Sequence, residues 1–202
     1  LTALSCSFTT KTAKEELLLG KKVENVIVTG ASGGVGSIAV MILNKLGCNV
    51  TAVTSKDSNI DYLKSLGAKN ITKTSDLDKE ARPLDKGIWD GAVDTVGGNI
   101  LSKVLSHIKE NGIVAAVGNV SGIKLNTTVM PFIIRGVKLW GVDSVHTSSK
   151  RREFLWGEAS KLIDFEILDK SIKEVSLEEL IDIFPQMLEG KTSGRYIINL
   201  NK

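Results

Sequence analysis

The sequence predicts an α/β fold, a doubly wound parallel sheet with helices on both faces. Three observations predict it. Strand-length apolar runs alternate with helix-length segments from Asn25 to Trp140. The run Ile113–Val117 is wholly apolar, as a strand covered on both faces should be. The first strand ends in a turn that holds Gly30, Gly33, Gly34 and Gly36, and an apolar, helix-compatible run from Ser37 to Leu46 follows it.

Thr2 to Leu19 reads as a helix whose apolar face (Leu4, Phe8, Leu17, Leu18) is interrupted by the polar stretch Thr9 to Lys14. Asn25–Thr29 is strand one, and the helix Gly33–Leu46 follows. Strand two, Asn49–Thr54, comes directly after a stop at Gly47. The helix Ile60–Leu66 ends at Gly67, and Asn70–Thr72 is a short third strand. Thr74 to Gly87 is polar with one proline and reads as a loop or short helix. Gly91–Thr95 is strand four, Asn99–Ile108 a helix, Ile113–Val117 strand five and Val137–Trp140 strand six. In the last third, Lys150 to Leu162 reads as a helix. Ser176-Leu-Glu-Glu179 is a capping box that opens a helix to about Leu188. Arg195–Leu200 is a terminal strand that follows the parallel run and is assigned to a different sheet.

At 202 residues the chain is long enough to bury a real core. Its 42% apolar and 24% charged residues are ordinary for a soluble globular domain. A net charge of +3 gives no argument for nucleic acid. The dense basic cluster Lys150-Arg151-Arg152 lacks interleaved aromatics and reads as the polar first turn of a helix. Cys6 and Cys48 form no C-x-x-C pair, which argues against a disulfide framework or structural zinc and fits a reducing cytoplasm. His107 and His146 lack metal-ligand spacing, so no metal site is expected. No stretch reaches the length of a membrane span, and no signal-peptide pattern is present. The expected location is the cytoplasm, with neither nucleic acid nor membrane as partner. The chain opens on Leu1, and its first segment reads as the middle of a longer protein, so a fragment is expected.

Strand, glycine turn and helix in that order build a phosphate cradle. Glycines admit a pyrophosphate close to the backbone, and the helix start offers unpaired N–H groups and the positive end of its dipole. Ser32, Gly33, Gly34 and Val35 are the expected pyrophosphate contacts. Nicotinamide sites that prefer NAD carry an acidic residue about 20 residues past this turn, bonded to the ribose 2′-hydroxyl. Here Thr54-Ser55-Lys56 stand in that place, with Asp57 one position too late. Two hydroxyls and a cation suit a 2′-phosphate, which predicts NADP(H) as cofactor. Lys73, at the tip of the third strand, is a candidate second cation.

Ligands of an open parallel sheet lie beyond the carboxyl ends of its strands. Those tips carry Ser32–Val35, Thr95–Gly98, Gly118–Gly122 with Asn119, and Val142-Asp143-Ser144. Asp94 sits within strand four and is expected to bond neighbouring backbone rather than to act as acid or base. No Cys-His or Ser-His-Asp arrangement emerges, and no general acid is found in the chain. The turn Thr29-Gly-Ala-Ser-Gly-Gly-Val-Gly36 also fits short-chain dehydrogenases, which need a Tyr-x-x-x-Lys pair. The two tyrosines, Tyr62 and Tyr196, are followed four residues later by Leu66 and Leu200, which removes that class.

Several stretches together carry a resemblance: Val-Thr-Gly-Ala-Ser-Gly-Gly-Val-Gly36, Tyr62-Leu-Lys-Ser-Leu-Gly-Ala68, Gly91-Ala-Val-Asp-Thr-Val-Gly97, and Thr127-Thr-Val-Met-Pro-Phe-Ile-Ile-Arg135 with Gly141-Val-Asp-Ser-Val145. The chain resembles the zinc-free, quinone-oxidoreductase-like branch of the medium-chain dehydrogenase/reductase superfamily, and within it the NADPH-dependent acrylyl-CoA reductases. The resemblance implies a GroES-like catalytic domain around a Rossmann domain, with this chain lacking the N-terminal catalytic part, on the order of a hundred residues. It divides the chain into a leading helix (1–24), the dinucleotide domain (25–145), and helices with a terminal strand (146–202) that return to the absent catalytic domain. That strand would then be an orphan with a sticky or disordered edge. The resemblance places cofactor contacts at Ser32 to Val35, at Thr54, Ser55 and Lys56, and at Asn119, Ile133 and Ser144. Many relatives carry arginine where Lys56 stands; lysine keeps the charge and loses the bidentate fork.

The activity so implied is hydride transfer from NADPH to an activated carbon–carbon double bond, of acrylyl-CoA or a similar enoyl compound, with the chain alone expected to be inactive. A quinone reductase of the same branch is the first alternative, and a non-catalytic dinucleotide-sensing module the second. Val137–Trp140 is a candidate edge for a homodimer, with burial inside the monomer as the other outcome.

Overall fold

The computed structural model describes residues 2–8 and 23–201. Residues 2–8 form a helix, α1; the remainder of the expected leading helix, with Leu17 and Leu18, lies outside the described residues. Six strands follow: β1 (Asn25–Val28), β2 (Asn49–Thr54), β3 (Asn70–Lys73), β4 (Trp89–Asp94), β5 (Ile108–Ala116) and β6 (Lys138–Gly141). They form one parallel sheet in the order β3-β2-β1-β4-β5-β6. The chain starts in the middle, winds outward to β3, crosses to β4 and winds outward again, so its direction reverses between β1 and β4. The crossovers carry α2 (Gly36–Lys45), α3 (Ile60–Ser65), α4 (Thr74–Leu77), α5 (Gly98–Ser106) and α6 (Met130–Arg135). After the sheet come α7 (Ser149–Leu162), α8 (Phe165–Asp169), β7 (Ile172–Val175), α9 (Leu180–Leu188) and β8 (Arg195–Ile198).

Side chains alternate across a strand with a period of two, so a sheet covered on both faces needs apolar residues at successive positions. β1 and its neighbours supply them. Val26, Val28, Val50, Ala52, Val93 and Ala115 pack on one face with Val40, Leu43 and Leu63 from α2 and α3. Ile27, Val53, Ala92 and Val114 pack on the other face with Ile100, Leu101, Val104 and Leu105 from α5. Each such Val, Ile or Leu contributes about 1.5–3 kcal/mol on full burial. α1 joins a third cluster, in which Leu4 meets Ile42 of α2 and Leu155 and Ala159 of α7.

The structure departs from the sequence expectation in four places. β5 begins at Ile108, where the sequence pattern extends the preceding helix. Trp89 pairs with Ile108 and then Gly91 with Ile113, so Lys109–Gly112 bulge out and hide the strand's true start. The turn at Asn111 takes a φ of 58°. β4 likewise opens at Trp89, because Asp90, polar and so unlike a strand residue, is satisfied by the backbone N–H groups of Glu24 and Asn25. The short elements α6, α8 and β7 stand where no element was assigned from the residue pattern. Finally, β8 is no orphan: it pairs in parallel with β7, from Ile172–Arg195 to Val175–Ile198. The capping box forms as expected, with Glu179 accepting from the Ser176 N–H at 2.7 Å and Ser176 Oγ accepting from the Glu179 N–H at 3.3 Å.

The amino-terminal end of the sheet is held by a polar knot around Asp85. Lys103 Nζ donates to its carboxylate at 2.8 Å and Ser106 Oγ at 3.0 Å. The Arg135 guanidinium donates to the carbonyls of Ser106 and Ile108 at 2.9 and 3.0 Å and also reaches the Asp85 carbonyl, which fastens α6 to this end of β5. The Lys103 hydrogen bond, against the opposing effect of burial and aided by Ser106, holds the Asp85 carboxyl below its usual pKa. A carboxyl with a depressed folded pKa gives stability that is present above its unfolded value, about 3.9, and lost as the pH falls through the folded value. Urea titrations across pH 2–7 should therefore show wild type losing stability below about pH 4. Asp85→Ala should lose roughly 2 kcal/mol at pH 7 and show a flatter acid limb.

Candidate functional site

The site is built from the place where β1 ends. Thr29 is buried; its hydroxyl donates to Asp94 Oδ1 at 2.7 Å and accepts from the Thr95 N–H at 3.0 Å. Asp94 also accepts from the Gly97 N–H at 2.8 Å. Burial pushes the Asp94 carboxyl above its usual pKa, while its hydrogen bonds to Thr29, Gly97 and Val96 pull the other way. The backbone-bonding role expected for Asp94 is the one it has.

The four glycines of the turn divide into two kinds. Gly30 has a φ of 57°, and a Cβ there would stand 2.3 Å from Thr95 Oγ1. A Cβ on Gly36 would stand 2.2 Å from the Gly30 carbonyl oxygen. Packing alone requires these two. At Gly33 a Cβ would meet only the Gly30 carbonyl, at 3.3 Å, and at Gly34 only the Arg195 guanidinium, at 3.7 Å. Neither has a positive φ; packing presses Gly33 only against one carbonyl, and it does not explain Gly34. Both leave backbone bare at the start of α2. There, among the described residues, the N–H groups of Gly34 and Val35 donate to no backbone acceptor, and the buried Ser37 Oγ has no partner. Unpaired donors at a helix start form an anion-binding cradle.

The chain's last segment closes over this turn. The Gly194 N–H donates to the Ser32 carbonyl at 3.1 Å, and the Arg195 guanidinium reaches the Gly34 carbonyl. Lys56 Nζ donates to the Thr192 carbonyl at 3.0 Å. Ser32, Gly34 and Lys56 thus meet one wall, residues 192–195. A cavity of about 470 Å3 opens beside it, lined by Gly34, Phe184, Met187, Arg195 and Tyr196 among others. Thr54 is buried, and its hydroxyl accepts from the Lys56 N–H at 3.2 Å, while Ser55 is exposed. Lys73 does not join them, because it pairs with Asp57. Sequence reasoning missed Arg195 as a site residue; a lone arginine after a loop glycine, six residues past the end of α9, gives no signal of where its strand will dock.

At the far end, the tips of β5 and β6 frame a second cavity of about 470 Å3, lined by Gly118, Asn119, Gly141 and Asp143 among others. Asn119 is exposed at its mouth. Ser144 is adjacent in sequence, with its hydroxyl accepting from Thr2 Oγ1 at 2.9 Å. Hydrogen bonds from the ring and backbone N–H of His146 lower the Asp143 pKa. Ile133 is not brought to these tips. It is 68% exposed on α6, which Arg135 anchors to the opposite end of β5. Among the described residues no group of three or more His, Cys, Asp or Glu side chains could hold a metal ion, and no helix is long and apolar enough to cross a membrane.

A parallel sheet of this strand order, with a glycine cradle where the winding reverses, is the dinucleotide-binding architecture of dehydrogenases. The chain belongs to the zinc-binding dehydrogenase family, whose model matches residues 34–161. It is 44% identical over 87% of its length to the probable acrylyl-CoA reductase AcuI of Escherichia coli. It is 43% identical, over the same share, to the putative quinone oxidoreductase YhfP of Bacillus subtilis. In each case it covers 54% of the relative, so the chain spans about half the length of the curated relatives it matches. Among solved structures, the yhdH oxidoreductase of Salmonella enterica in complex with NADP superposes with a TM-score of 0.89 at 40% identity, over 98% of this chain and 61% of that one. The Bacillus subtilis yhfP with NAD bound gives 0.85 at 38% identity, over 98% and 60%.

The two kinds of glycine should separate on melting. Gly36→Ala is expected to destabilise by about 1–3 kcal/mol through overpacking. Gly34→Ala should stay within about 0.5 kcal/mol of wild type.

Proposed function

We propose that the chain is the cofactor-holding portion of an NADPH-dependent reductase acting on an activated carbon–carbon double bond, with acrylyl-CoA or a similar enoyl thioester as substrate. The observation that carries this reading is the cradle at Gly33–Val35, whose bare glycines and unpaired N–H groups await an anion, combined with a lysine and no free carboxylate at the β2 tip. The 44% identity to an enzyme named an acrylyl-CoA reductase supports the substrate class.

The bound nicotinamide would supply the hydride. Ser32, Gly33, Gly34 and Val35 hold the pyrophosphate, and Arg195 adds a cation beside it. Thr54, Ser55 and Lys56 hold the 2′-phosphate end. Asn119 and Ser144 orient the nicotinamide end at the β5 and β6 tips, where small residues keep the passage open. Ile133 is left out of this assignment, for α6 is tied down at the other end of the sheet. The proton donor and the acyl-binding surface belong to the part of the longer relatives that this chain does not span. Residues 1–24, 25–145 and 146–202 divide between the two parts as the resemblance implies. Exposed Ile181, Phe184 and Leu188 on α9 support a further apolar surface packing there. The chemistry needs no metal, which makes the zinc-free branch the better fit. β6 is an open sheet edge with Trp140 52% exposed, the feature that supports a homodimer through that edge. A reducing cytoplasm suits the free thiols of the buried Cys6 and Cys48.

A quinone reductase is the second reading, favoured by the 43% identity to a protein of that name. The cofactor portion does not separate the two acceptors, since the acceptor is read elsewhere. Calorimetric titration of the chain is expected to give NADPH binding at least tenfold tighter than NADH, a gap of about 1.4 kcal/mol. Equal affinities would remove the 2′-phosphate argument and favour the NAD-bound relative as the guide. Gly34→Ala, folded as wild type, should lose tenfold or more for both nucleotides. The parent enzyme should turn over acrylyl-CoA with NADPH; turnover of quinones alone would overturn the substrate class.

A further inference from the structure

We infer that Lys173, on β7, is the second cation of the 2′-phosphate pocket and shares with Lys56 the choice of NADPH over NADH. The inference rests on the cofactor reading above and adds to it a residue from the far end of the chain.

A small cavity of about 180 Å3 lies where the turn after β2 meets β7. Ser58, Asn59 and Tyr62 line one side and Ser171, Lys173 and Ser193 the other, and no carboxylate lines it. The Tyr62 hydroxyl oxygen is buried and has no hydrogen-bond partner among the described residues. A buried donor of that kind calls for an acceptor. Lys56 approaches from the glycine-turn side: its Nζ donates to the carbonyl of Thr192, the residue before the cavity-lining Ser193, at 3.0 Å. Gly194 also lines the cavity while its N–H holds the Ser32 carbonyl, so the cavity is joined to the glycine turn through one residue.

Charge explains why Lys173 and Lys170, which line the cavity, Lys56 beside it and several hydroxyls would be kept there. Among the described residues neither Lys56 nor Lys173 has a carboxylate within ion-pair distance. The Lys173 ammonium instead stands 5.6 Å from the centre of the Tyr196 ring, which fixes its position without neutralising it. Burial, and after it the positive charge of Lys173, lowers the Lys56 pKa below its ordinary value. Two cations that repel across a pocket free of acid are relieved by a dianion placed between them. The 2′-phosphate is the dianion of NADPH that lies at this end, and NADH has none. Lys73, which the sequence offered for the role, is already paired with Asp57.

The test titrates NADPH and NADH into wild type, Lys173→Ala and Lys173→Arg, with 2′,5′-ADP and 5′-AMP as probes free of the nicotinamide. Lys173→Ala should weaken NADPH and 2′,5′-ADP tenfold or more and leave NADH and 5′-AMP within twofold. Lys173→Arg should restore most of the loss. Equal weakening of all four ligands would mean that Lys173 only packs β7 against Tyr196, and the inference fails; an unchanged NADPH preference in Lys173→Ala also overturns it. A wild type that binds neither nucleotide, or both equally, overturns the cofactor reading itself, and that result is seen before any variant is made.

Discussion

Asp94 lies fully buried at the end of β4 and ties the tips of β1 and β4 together at the point where the winding of the sheet reverses. A carboxylate in such a place is stable only while its lone pairs are filled, here by Thr29 and by the backbone of the β4 turn. That constraint fixes the positions around it. Thr29 is held so that its carbonyl accepts from Thr95 Oγ1 at 2.9 Å. Gly30 can then turn into the left-handed region against Thr95, and Gly36 can close on the Gly30 carbonyl to begin α2. The bare backbone of Gly33 and Gly34 is presented where it is because those contacts leave no other path.

How far this was legible in the chain varies with the reach of each interaction. The six parallel strands were readable because each contains a short local run of apolar or β-branched residues bounded by a turn. The glycine turn was readable for the same reason. β5 was placed too late because its first residue is separated from the rest by the bulge Lys109–Gly112, whose polarity imitates a loop. β7 was missed because Ile172-Lys-Glu-Val is four residues long and carries two charges; it becomes a strand by pairing with β8.

The site divides along the same line. Ser32–Val35 and Thr54–Lys56 are sequence-adjacent groups at strand tips, so the topology rule locates them. Arg195 and Lys173 reach the same region from the opposite end of the chain, and no spacing rule connects them to it. Lys73 shows the converse case. It stands at the right strand tip, but a neighbouring carboxylate claims it, which only side-chain geometry reveals.

The wall over the glycine turn has a consequence for the order of assembly. Arg195 and Gly34 are 161 residues apart in sequence, so their meeting closes a loop that encloses most of the chain. Contacts of such long range come at a large entropic cost and form after the local ones that shorten the effective loop. The strand–helix–strand units can pair as they leave the ribosome, whereas the clasp at residues 192–195 must wait until those residues are made. A nascent chain therefore passes through a stage with its sheet complete and its nucleotide cleft still lacking one side.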